Sequence, residues 1–87
     1  MELDNVAQEL RTFIRVRFGI PDDDPEFNDD VHLFDYGYVD SFGAVELNSF
    51  VEKEFAVKVS SSDLIAFPLN TVKEIATFVV KRRNREI

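Results

Sequence analysis

In the run from Asp35 to Leu47, DYGYVDSFGAVEL, Ser41 stands between an acid and a large aromatic, where a turn-like segment gives way to helical periodicity. A serine there has three possible uses. Its oxygen can accept a hydrogen bond from a free N–H of the first helical turn, a cap worth about 1 kcal/mol. It can act as a nucleophile, which requires a neighbouring base. Or it can carry a phosphate ester, because the free N–H groups and the positive dipole end of a helix stabilise an anion. The second use is poorly supplied: the chain has one histidine, His32, set in an acidic segment, and so small a chain leaves little room for a substrate pocket. His32 reads as a surface or loop-packing residue beside an acid that would keep it protonated.

The neighbours of Ser41 bear on the other two uses. Phe42 and Val45 lie beside the inward stripe of the coming helix, and so turn outward two apolar side chains that a cap alone does not need. Gly43 sacrifices roughly 0.8–1.0 kcal/mol of helix propensity against alanine. Both features suit a surface that another protein approaches closely.

Other chemistry finds less support. Between Pro21 and Asp40 there are eight acids and no lysine or arginine, which raises the question of calcium. With Asp24 as the first position of an EF-hand loop, Glu26, Asn28, Asp30 and Asp35 fall near ligand positions. The obligatory turn glycine is then Asp29, however, and the closing bidentate Glu is Asp35. A solvated acidic loop is the reading that remains. No cysteine is present, so disulfides, thiolate metal sites and a cysteine nucleophile are all excluded. A net charge of −7 disfavours phosphate backbones and favours partners with basic surfaces, and the four bases of KRRNREI make a weak nucleic-acid footprint. No apolar run approaches the roughly 18 residues of a membrane span, and MELDNVAQEL carries acids where a signal peptide has bases, so a cytoplasmic protein is expected.

The elements that must position Ser41 follow from periodicity. Eighty-seven residues allow one small domain over 1–87. Leu3, Val6, Ala7, Leu10, Phe13, Ile14 and Phe18 recur at helical spacing and predict a first amphipathic helix, ended by Gly19 and Pro21. Residues 19–40, with two prolines and a triple-Asp run, form a long loop anchored by Val31, Leu33 and Phe34. From Ser41 a second helix carries Ala44, Leu47, Phe50, Val51 and Phe55 inward. Val57 and Val59 belong to a connection, because the run is too short for a strand and has no partner. Ser60, Ser61 and Ser62 offer caps for a short helix from Asp63 to Phe67, stopped by Pro68, and Asn70 or Thr71 caps a fourth helix with Val72, Ile75, Ala76, Val79 and Val80 inward. The basic residues of 81–87 complement the last dipole and then fray. The expected fold is all-α, a four-helix bundle of three longer helices and one short one. Its core is Leu3, Val6, Leu10, Phe13, Ile14, Leu33, Phe34, Leu47, Phe50, Val51, Phe55, Leu64, Ile65, Val72, Ile75, Ala76 and Val79.

At this point the residues carry a resemblance. Asp40-Ser41-Phe42, preceded by Leu33-Phe34-Asp35-Tyr36-Gly37 and followed by Val45-Glu46-Leu47 and Glu52-Lys53-Glu54-Phe55, is similar to the acyl and peptidyl carrier protein family, whose signature is Asp-Ser-Leu at the start of the second helix. The resemblance covers nearly the whole chain. It implies that a phosphopantetheinyl transferase moves 4′-phosphopantetheine from coenzyme A onto Ser41, and that the arm's thiol then holds an acyl or aminoacyl group as a thioester. Asp40 takes the family role of the acid that assists the magnesium-dependent transfer. The second helix becomes the main docking surface, with Phe42, Val45, Glu46 and Glu52 as contact residues. The implied partners are the transferase, a loading ligase and a downstream acyltransferase or synthase of fatty-acid, polyketide or peptide biosynthesis. The chain itself would be a non-catalytic monomer, with no nucleic-acid partner.

The chain departs from the fatty-acid type where Phe42 replaces Leu and Gly43 replaces an acid, and where Asn48, Ser49 and Lys53 dilute the acidic face. Lower charge predicts slower, less steered encounter with very basic partners. Asp-Ser-Phe-Gly followed by Val-Glu-Leu instead resembles the D-alanyl carriers and stand-alone specialised carriers. The competing reading is a helical interaction module in which Ser41 is only a cap.

Overall fold

Seventeen residues with Glu2 and Asp4 in the first turn and Arg15 and Arg17 in the last form α1 (Glu2–Phe18), in a computed structural model that describes residues 2–87. These charges match the helix dipole at both ends. Gly19 follows at φ +68, and the Ile20 N–H donates to the Arg15 carbonyl at 3.0 Å, which closes the helix as glycine in the left-handed region allows. α2 (Ser41–Phe55), the six-residue α3 (Ser61–Ala66) and α4 (Val72–Arg83) complete an all-helical fold with no strand among the described residues.

α1 packs along α4, and the core between the helices holds Val6, Leu10, Ile14, Leu47, Val51, Val72, Ile75, Ala76 and Val79, all buried. Phe13 and Phe50 stack at 4.0 Å between ring centres but sit only half inside, as does Phe34. Three expected core residues are outside it. Leu3 lies exposed in the first turn of α1, at the edge of the stripe that buries Val6, Ala7, Leu10 and Ile14. Leu64 is exposed and Ile65 is 89% exposed, because α3 turns Asp63 inward in their place. Asp63 accepts from the Ser60 N–H and hydroxyl at 2.9 Å each, completing a capping box, and takes both Nη groups of Arg82 at 2.8 and 3.2 Å. A six-residue helix has one face to bury, and this ion pair occupies it.

The long connection is more firmly anchored than its composition suggests. Ile20, Phe27, Val31, Leu33 and Val39 are all buried. The Leu33 N–H donates to the Asn70 carbonyl at 2.8 Å, and the Lys73 N–H to the Asp29 carbonyl at 3.0 Å, which ties the loop to the entry of α4. Arg11 of α1 donates to both oxygens of Asp29 at 2.8 Å. Asp24 accepts from the Glu26 and Phe27 N–H groups and from the Tyr38 hydroxyl at 2.9 Å. Two of the acids that read as solvated therefore fold the loop. The Nδ1 of His32 accepts from the Asp35 N–H at 3.0 Å, so the ring caps a turn. At the other end of the chain, Arg82 is held by Asp63 and its guanidinium covers the Phe78 ring, so the basic end of α4 is partly structural rather than simply solvated.

Candidate functional site

The start of α2 is built by Asp40. Its backbone is extended, and its Oδ1 accepts from the Gly43 N–H at 2.7 Å, the N-cap bond, while its carbonyl accepts from the Ala44 N–H at 2.8 Å. The cap is therefore Asp40 and not Ser41. Aspartate caps as well as serine, so the sequence allowed either. Ser41 is the first helical residue; its side chain is exposed, and its hydroxyl makes no hydrogen bond among the described residues. One of the N–H groups that a helix leaves unpaired at its start, that of Gly43, is taken by the Asp40 side chain, and the Ala44 N–H makes the first ordinary bond of the helix to the Asp40 carbonyl. The N–H groups of Ser41 and Phe42 remain as donors at the positive end of the dipole.

Gly43 has a packing role that its propensity cost did not reveal. It is buried, and a Cβ at this position would stand 2.7 Å from Cε1 of Phe18 and 3.0 Å from Cγ1 of Val39. The close approach that it permits is by the chain's own aromatic, which presses the end of α1 against the first turn of α2. The expectation that Gly43 serves an outside partner is corrected accordingly.

Of the contact residues named from the sequence, Phe42 (81% exposed) and Val45 stand in the open. Glu46 is half-buried and ion-paired with Arg17 of α1. Glu52 is exposed and accepts from the Val59 N–H at 2.8 Å, fastening the connection beyond α2. Both glutamates thus have structural duties. One helical turn beyond Ser41 a groove of about 490 Å3 opens between α2 and α3, lined by Ala44, Leu47 and Asn48 on one side and by Leu64, Ile65 and Phe67 on the other. The exposed Leu64 and Ile65, which periodicity sent to the core, form its outer wall.

An exposed hydroxyl on the first residue of a helix, capped by the preceding acid and flanked by outward apolar side chains, can be esterified without disturbing the fold. The model of the phosphopantetheine attachment site family matches residues 8–79. The chain belongs to that family, the acyl and peptidyl carrier proteins, and 4′-phosphopantetheine is the group such a domain carries covalently. Comparison with curated proteins finds no match. No described helix is long and apolar enough to cross a membrane.

Proposed function

We propose that Ser41 is the residue that carries 4′-phosphopantetheine, and that the chain presents an acyl or aminoacyl group from there to a succession of cytoplasmic enzymes. The observation that supports this is the division of labour at the start of α2: Asp40 makes the cap bond, so the exposed Ser41 oxygen is left without a structural task. When bound, the arm supplies a thiol, which the chain lacks, to hold the cargo as a thioester.

The chain's own residues do the positioning. The N–H groups of Ser41 and Phe42 offset the negative charge of a phosphodiester on the serine oxygen. Asp40 keeps one carboxylate oxygen on the Gly43 N–H, which leaves it a second oxygen that would help hold the magnesium of the transferase. Phe42 and Val45 give that enzyme, the loading ligase and the downstream acyltransferase or synthase an apolar surface beside the serine. The chain acts as their substrate and not as a catalyst. His32 is engaged with the Asp35 N–H, and no hydrogen bond joins it to Ser41 among the described residues.

Intact-mass measurement after incubation with coenzyme A, magnesium and a broad-specificity transferase tests the assignment. The wild type is expected to gain one phosphopantetheine and Ser41→Ala none, with unchanged helical circular dichroism. An unmodified wild type would return the chain to the interaction-module reading. Asp40→Asn separates the two tasks of that residue: asparagine caps as well as aspartate, so stability should hold within about 0.5 kcal/mol while the loading rate falls.

A further inference from the structure

A second surface lies on the other side of α2. Between α1 and α2 runs a groove of about 780 Å3, and the Phe13–Phe50 stack belongs to its lining. Val16, 80% exposed, stands on its α1 side with nothing over it among the described residues. Large apolar side chains left open beside a groove mark a surface that something else covers.

The charges of the groove say what kind of occupant fits. Glu9 of α1 and Glu54 of α2 both line it, and Glu9 titrates above the ordinary carboxylate range because the Glu54 carboxyl is close enough to share its proton. The nearest cations do not fully relieve this repulsion. Arg17, which also lines the groove, is paired with Glu46, and Arg83, near enough to offset part of it, sits 3.8 Å from Glu2. Two carboxylates that line the same apolar groove make a receptor for one added cation.

The groove is also well separated from Ser41. Phe50 lies nine residues further along α2, which at 100° and 1.5 Å per residue is about 180° round the helix and about 14 Å along it. An occupant here leaves the serine open to an enzyme on the opposite face.

We propose that the α1–α2 groove is a docking surface for a basic amphipathic helix of a partner protein, with apolar side chains on Phe13, Val16 and Phe50 and one lysine or arginine between Glu9 and Glu54. A second copy of this chain fits less well, since its net charge of −7 would be brought against a pair of acids. This surface is independent of what Ser41 carries.

The probe is a synthetic helical peptide of about 16 residues with leucines at i, i+4 and i+7 and a single lysine beside them, compared with the same peptide bearing glutamate for lysine. Titrated into the 15N-labelled full chain, the lysine peptide is expected to shift the amides of Phe13, Val16, Phe50 and Glu54 saturably and to leave Ser41 and Phe42 unmoved. The double variant Glu9→Gln with Glu54→Gln should weaken it about three- to tenfold, as should exchange of lysine for glutamate. Val16→Glu, a surface change that spares the fold, should abolish it. Equal binding of both peptides, shifts centred on Phe42 and Ile65, or no saturable shift would overturn the proposal. So would concentration-dependent shifts in the groove without peptide, which would assign it to a second copy. The same shifts with octyl glucoside, indifferent to Glu9 and Glu54, would assign it to an uncharged apolar ligand and sink the proposal as well.

Discussion

Asp40, Ser41 and Gly43 show how much one helical turn can specify. The acid was legible as part of a motif, but its bond to the Gly43 N–H was not, because Asp and Ser are equally good caps and only backbone geometry chooses between them. The choice matters for Ser41, since a serine that capped would have its single side-chain oxygen engaged by a backbone N–H, whereas aspartate has two oxygens and uses one. Gly43 misled in the other direction: propensity registers its cost, while its cause is the Phe18 ring, 25 residues earlier in the chain. Gly43→Ala gains helix propensity of about 0.8–1.0 kcal/mol but overpacks Phe18 and Val39 by about 1–3 kcal/mol. Net destabilisation of about 1 kcal/mol is expected in urea denaturation, and Phe18→Leu in the same chain should recover most of it, because the colliding atom is removed.

The ends of the helices decide how they hold together. α2 stops at Ala56, which takes φ 54 and ψ 43 without being glycine. A Cβ in the left-handed region costs about 1–2 kcal/mol, partly recovered by the lower chain entropy of alanine in the unfolded state, so Ala56→Gly should stabilise the protein by about 0.5–1 kcal/mol in thermal or chemical denaturation. α3 depends on the box formed by Ser60 and Asp63 and on Arg82. Ser60→Ala should cost about 1 kcal/mol. Asp63→Ala removes the box and the tie to α4 together; amide exchange should then accelerate throughout Ser61–Ala66 while the amides of α1 stay protected. If exchange in α3 were unchanged, the ion pair would not be what orients it. The existence of this short helix was legible from its serines and Pro68. Its rotation was not, because six residues contain too few periods to define an inward face, and a partner 19 residues away defined it instead.

At the scale of the whole molecule, stability depends on acids acting in opposite senses. The guanidinium of Arg82, with the Ser60 N–H, holds Asp63 down to about 2 from an ordinary 3.8, and the Glu26 N–H holds Asp24 below its usual value. A carboxyl whose folded pKa is depressed contributes stability that is complete above the unfolded value and lost as pH falls through the folded one. Urea midpoints should therefore drop between about pH 4 and pH 2, and less steeply in Asp63→Asn. Glu9 has the opposite sign: its raised value means that protonation relieves a repulsion with Glu54, so acidification from neutrality should give a small gain before the loss sets in. Tyr38, pushed up to about 12 by burial and its bond to Asp24, contributes stability below pH 10 that is lost as pH rises from 10 toward 12. The acids of the loop thus do more than keep it soluble. Asp24 and Asp29 close it on Tyr38 and Arg11, and the Cα radius of gyration, 12.2 Å, is about that of a fully compact chain of this length.

Periodicity, punctuation and a short motif determined by themselves the four helices, most of their ends, the greater part of the core and the family to which the chain belongs. These are local properties, set by which side chains recur every three or four residues and where glycine, proline and serine interrupt them. The tertiary structure alone decided which atom caps α2, why Gly43 must lack a side chain, that Asp63 and not Leu64 or Ile65 faces inward, and that Ile20, Phe27 and Val39 of the aperiodic loop are buried. Each of these depends on a contact between residues distant in sequence, and no local pattern encodes the identity of a partner that only folding brings near.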